Sequence, residues 1–225
     1  MKLFMIDGIG PFFHGYRRRR INWSKTPFDN LEVDGMPSAE RFAPILEEFR
    51  QVVDRAARIG FNAISLDDVA HLALHPVYTA GLTAKVEAYR EQFAPFLAAA
   101  TGVGLTPYLT TDIMFHHPAM PRAVLNPEGG LHDFLAELFG ALFEDYPELG
   151  GIVTRIGECD GVDVHGDFRS HLVLRKPAHV RTLLTTVLPV FTRYARELVF
   201  RTWTVGAYQV GDLQWNRYTF DAVFN

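Results

Sequence analysis

Two acids separated by a cysteine close an apolar run in GIVTRIGECDG, residues 151–161, which ends in Glu158, Cys159 and Asp160. A run of that composition predicts a buried strand. A carboxyl at the end of such a strand, next to Gly157 and near apolar walls, can be held protonated and act as a general acid. Glu158 is therefore the expected catalytic residue. The competing role is an ion pair with Arg155 or Arg201, because structural pairs also occupy strand ends. Cys159 has no histidine in its local pattern that would mark it as a nucleophile, so it reads as a small buried residue.

The residues expected around that acid suit a polyhydroxylated ligand. In VFRTWTVGAYQVGDLQWN, Trp203 can stack on the apolar face of a sugar and Arg201 can grip a carboxylate with two parallel hydrogen bonds, with Tyr208 close behind. A core tryptophan and a structural arginine are the alternative. Asp7 ends the first strand. Tyr108, Asp112 and His116 fall at or just beyond the end of the third, and His75 follows the second. Trp23, with Lys25 and Phe28, can form one wall of a cleft. Asp160 opens a loop with Asp163, His165 and Asp167; it either meets sugar hydroxyls or a metal, or belongs to a solvated acidic loop. His116 and His117 invite a metal, but adjacent residues rarely converge on one ion without other ligands. No metal and no cofactor is expected. The basic run from Arg17 to Arg20 reads as a solvated loop.

The elements that must position these residues alternate. Strands are expected at residues 2–7, 61–68, 105–112, 151–158 and 198–205. Helices are expected at about 38–59, with Ser38 as N-cap and Gly60 as terminator, at 83–100 with a kink at Pro95, at about 131–147, and from Pro177 with a bend at Pro189. Apolar strands with helices between them imply a parallel sheet covered by helices, whose carboxyl-terminal strand ends carry the chemistry. Here those ends read Asp7, Asp67-Asp68, Thr110-Thr111-Asp112, Glu158 and Thr202-Trp203-Thr204. A doubly wound sheet is disfavoured, because Gly8-Ile9-Gly10 lacks the third glycine of a nucleotide turn and leads into a long loop. The expected fold is α/β, a (β/α)-barrel of TIM type, in one domain over residues 1–225. Only five βα units are visible against the eight of a closed barrel, so the chain is expected to be the N-terminal part of a longer one.

Bulk properties bound the function. The chain has 225 residues, 48% hydrophobic, and a net charge of −4, which argues against nucleic acid or a membrane surface as partner. One cysteine gives no internal disulfide framework. The N-terminal apolar run of about five residues is shorter than a signal peptide core, and a cytoplasmic location is expected.

The segments IVTRIGECDG and VFRTWTVGAYQVGDLQWN resemble glycoside hydrolases of the large (β/α)8 clan, and more distantly the α-glucuronidase-like barrels. The likeness spans about residues 151–216. It implies that Glu158 protonates the leaving glycosidic oxygen and that a second carboxylate comes from a later strand. The chain departs from the Asn-Glu pair of many clan members, because Gly157 precedes Glu158. The resemblance thus implies a carbohydrate substrate and hydrolysis of O-glycosidic bonds. Two further functions fit the residues. One is a metal-dependent sugar isomerase or epimerase using His116 or His117, Glu158, Asp160 and His165. The other is a barrel that binds carbohydrate without catalysis.

Overall fold

The computed structural model describes residues 2–16, 25–112, 115–155, 168–170, 173–201 and 217–225. The first half of the chain forms β1 (Met5–Asp7), a hairpin of β2 (Glu32–Val33) and β3 (Met36–Pro37), α1 (Ala39–Arg58), β4 (Ala63–Asp67) and α2 (Ala80–Gly102). The second half forms β5 (Thr106–Asp112), β6 (Phe115–His116), α3 (Leu131–Asp145), β7 (Gly151–Arg155), β8 (Arg169–Ser170), α4 (Pro177–Tyr194), β9 (Glu197–Arg201) and α5 (Arg217–Phe224).

Five of the strands make one parallel, curled sheet in the order β1-β4-β5-β7-β9. Each strand pairs with its predecessor in the βα series, so the order has no reversal of the doubly wound kind. Right-handed crossovers in a sequential order keep every helix on the same face. The packing agrees. Ile64, Leu66, Leu109 and Ile152 belong to the large core that contains the buried faces of α1 to α4. The alternate residues Ala63, Tyr108 and Val153 form a small cluster of their own, with Met5 and Val199 beside it. The sheet thus has one face under helices and one face turned to the inside of its curl.

The helices form where the spacing places them, with instructive differences at their ends. Phe42, Ile45, Phe49 and Val53 line the buried side of α1, and Phe12 stacks on Phe93 and Phe96 (centroids 5.6 and 5.1 Å) beneath it. Gly60 follows α1 with φ +100°, a conformation that glycine reaches at little cost. Ser38 occupies the N-cap position but makes no side-chain cap bond. The second helix begins at Ala80, ahead of the expected residue 83, because the Thr79 hydroxyl accepts from the Leu82 amide at 3.4 Å. Pro95 and Pro189 both lie inside helices that continue past them. The β2–β3 hairpin is clamped to α2, where Glu32 takes Lys85 Nζ at 2.9 Å and the Tyr89 hydroxyl. No helix among the described residues is long and apolar enough to cross a membrane.

Candidate functional site

Strand parity decides which side chains meet. In β4, β5 and β7 the final residues Asp67, Asp112 and Arg155 share the face turned away from the helices. Asp112 is in register with Arg155, and Arg155 with Arg201 at the end of β9. The result is a row of charges along the carboxyl edge of the sheet.

That row is closed into a buried network. Arg155 donates from Nη2 to Asp67 Oδ1 at 3.2 Å, and its Nε stands 3.1 Å from Asp112 Oδ1 as a contact of charge rather than an aligned hydrogen bond. All three side chains are 2–3% exposed. Lys25 pairs with Asp112 from the opposite side, and the Thr26 amide donates to Asp67 Oδ2 at 2.6 Å. The chain returning from β1 is thereby pinned across the ends of β4 and β5. Two cations face two carboxylates here, which is the condition under which buried charges are tolerated. Burial nevertheless pushes the Asp67 carboxyl above its ordinary range, against the pull of Arg155 and Lys25.

Asp68 continues from this edge across a cis peptide and turns the other way. Its Oδ1 lies 2.6 Å from His71 Nδ1 and accepts from the His71 amide at 3.1 Å, capping the short turn Val69–His71. Desolvation raises the Asp68 carboxyl, but His71, its hydrogen bonds and Lys25 together outweigh that and bring it below 3.8. The sign of the consequence is definite. A depressed folded-state value contributes stability above the unfolded value, lost as pH falls through the folded one. Asp68→Asn should therefore lose roughly 2 kcal/mol at neutral pH, the scale of a charge-assisted hydrogen bond. The gap between variant and wild type should narrow as pH drops below 3.8, as read from urea unfolding at stepped pH.

The expected ligand-binding residues distribute unevenly. Asp112 is in the buried network, and Arg201 ends β9 on the same row. Asp7 is exposed at the end of β1, where its Oδ1 accepts from the Ile9 amide at 3.1 Å. Tyr108 lies toward the amino-terminal end of the sheet rather than at the strand tip expected from sequence. It is the third residue of β5, in register with Gly151, and its hydroxyl donates to Glu197 at 2.6 Å. Burial, the Glu197 hydrogen bond and its charge all push that phenol upward. His75 spends both ring nitrogens inside the protein, Nδ1 accepting from the Val77 amide at 3.2 Å and Nε2 facing Glu137 at 3.0 Å. His116, on the β6–β8 ribbon, donates from Nε2 to the Met120 carbonyl at 3.1 Å. Glu158, Asp160, Trp203, Tyr208 and Trp23 lie outside the described residues, as do Cys159 and His165. Among the described residues no three His, Cys, Asp or Glu side chains come together as a metal site.

Sequence reasoning did not single out Asp67, Arg155 and His71 as site residues. The signal was present for the first two: a charge at the last inward position of an otherwise apolar strand. Arg155 meets Asp67 and Asp112, while Glu158, its alternative partner on sequence grounds, lies outside the described residues. Comparisons of the chain with protein-family models, with curated proteins and with solved structures find no match.

Proposed function

We propose that the protein is a carbohydrate-active (β/α)-barrel enzyme of TIM type, a glycoside hydrolase in which Glu158 is the general acid. The observation that carries the reading is the convergence of three adjacent strand ends on Arg155, three residues before Glu158. An arginine already balanced by Asp67 and Asp112 does not need Glu158 as a counter-ion. A general acid must hold its proton until the leaving oxygen takes it, and a carboxyl does so more easily where no arginine needs it as a counter-ion. In the proposed reaction Glu158 gives its proton to the leaving glycosidic oxygen, and a second carboxylate supports the anomeric carbon or activates water. The network holds the strand ends rigid beneath the reacting sugar.

The test is turnover of a panel of 4-nitrophenyl glycosides by wild type and Glu158→Gln. The variant should lose about a hundredfold or more in kcat while retaining affinity for the sugar. Unchanged turnover in the variant refutes the role of Glu158, and an absolute requirement for a divalent metal points instead to the isomerase.

A further inference from the structure

The connection from β6 into α3 is fastened by two histidines that begin neighbouring helices. His132 is the second residue of α3, and its Nε2 donates to the Pro127 carbonyl at 2.9 Å. His179 is the third residue of α4, and its Nε2 donates to Glu128 Oε1 at 2.9 Å. The two partners are consecutive, so one short stretch of loop is held to both helices. Met120 and Val124 are buried in the large core and fix the earlier part of the connection. What the histidines hold is residues 126–130, mostly exposed and ending in Gly129 and Gly130.

Both rings carry a proton on Nε2, because a carbonyl and a carboxylate only accept. Nδ1 of each is then a bare acceptor, and neither has a hydrogen-bond partner among the described residues. The two residues are buried, at 4% and 8% exposure. An unmet lone pair is a modest loss for a neutral ring. Protonation turns each Nδ1 into a buried, charged donor, which costs far more to leave unmet. Each ring also stands in the first turn of its helix, where the positive end of the dipole opposes a cation.

The surrounding charges separate the two rings. Burial holds the His132 imidazole below its ordinary 6.5, against the pull of the Pro127 bond. His179 on α4 acts in the same direction as burial, while Asp133 on α3 and Glu128 on the loop oppose it. Lys176, at the start of α4, stands 3.9 Å from Glu128. A proton on His179 strengthens its pair with Glu128. A proton on His132 meets no carboxylate at hydrogen-bond distance among the described residues.

We propose that His132 is the acid-released half of a clasp on residues 126–130: neutral, it ties the loop to α3, and protonated, it lets the Pro127 carbonyl go while His179 keeps Glu128. Acid thus transfers the hold on the loop from two helices to α4 alone. The loop belongs to the connection that follows β5, whose last residue is Asp112, so the clasp acts at the rim of the carboxyl edge. A folded-state value below the unfolded one contributes stability that is present above 6.5 and lost as pH falls through the folded value. The inference concerns the fold and stands apart from the role of Glu158.

The experiment is amide hydrogen exchange by NMR on the full chain, corrected for intrinsic rates, at about pH 7.5 and about pH 5, either side of the histidine range. The reporter is the Leu131 amide, bonded to the Asn126 carbonyl at 3.2 Å, and the internal standard is the Leu109 amide of β5. Protection of Leu131 should fall by about tenfold in acid relative to Leu109. In His132→Gln the side-chain amide still donates to Pro127 but cannot titrate, so the relative protection should be the same at both pH values. Equal protection in the wild type at both pH values, or the same fall in His132→Gln, overturns the proposal. Should His132→Gln fail to fold, the imidazole titration of the wild type decides: His132 must titrate below 6.5 and the Leu131 exchange must follow it, and a value at or above 6.5 refutes the clasp.

Discussion

Arg155→Met is expected to destabilise the folded chain by about 3–5 kcal/mol, the range for removing one partner of a buried charge network. Methionine fills most of the volume of the arginine stem, so the loss is electrostatic rather than a cavity. Asp67 and Asp112, 2–3% exposed, keep their carboxyls but lose the guanidinium between them. Lys25 still balances Asp112, which leaves Asp67 as the uncompensated group. In a chain of this length the melting temperature should fall by roughly 10 °C. The loss should also depend on pH. Burial already holds the Asp67 carboxyl above 3.8, and without Arg155 it moves higher. A neutral Asp67 costs little, so the variant should suffer least at low pH and progressively more as pH rises through the folded-state value. Adding Asp67→Asn should recover part of the loss at neutral pH. If the single variant melts like wild type, the network does not hold the strand ends.

Gly151→Ala is the second large effect. Gly151 opens β7 opposite Glu197, and a methyl group there would stand 1.9 Å from the Glu197 carbonyl oxygen and 2.7 Å from its carbon. Those are backbone atoms, which cannot turn aside as a side chain would. The β7–β9 pairing must open or slide, costing about 3 kcal/mol or more. The neighbouring Gly150 faces a softer obstacle, the Thr106 methyl and Tyr108 ring at 2.6 Å. The two substitutions compared by denaturant unfolding should rank with Gly151→Ala the worse. The same order should appear in hydrogen exchange of the β9 amides, since an opened edge exposes them.

The fold was largely legible because its code is periodic. Ile64 and Leu66, Leu109, and Ile152 alternate with inward residues that turn polar toward the carboxyl ends of the strands, and the helices between them carry their apolar stripes at the spacing that buries them. Short elements were not legible. The hairpin Glu32–Pro37 owes its place to Lys85 and Tyr89 on α2, a tertiary cause with no local pattern. Tyr108 illustrates a register limit: composition put it at a strand tip, but β5 begins at Thr106 and continues to Asp112, so the ring sits near the opposite end.

The site divides in the same way. That polar residues gather at the carboxyl edge followed from the βα order. Which of them pair depended on parity and register, and these link Asp67 to Arg155 across 88 residues of sequence. His71 was hidden for a different reason. A histidine in an apolar stretch, VAHLAL, reads as filler until its Nδ1 is seen against Asp68.

The central proposal is that Glu158 serves as general acid at the carboxyl edge of the sheet, where Asp67, Asp112 and Arg155 meet. A crystal structure of the chain with a bound glycoside tests it most directly. The sugar should lie across the carboxyl ends of β4, β5 and β7, with a Glu158 oxygen within about 3 Å of the glycosidic oxygen. A sugar bound elsewhere, or Glu158 turned outward to solvent, would contradict it.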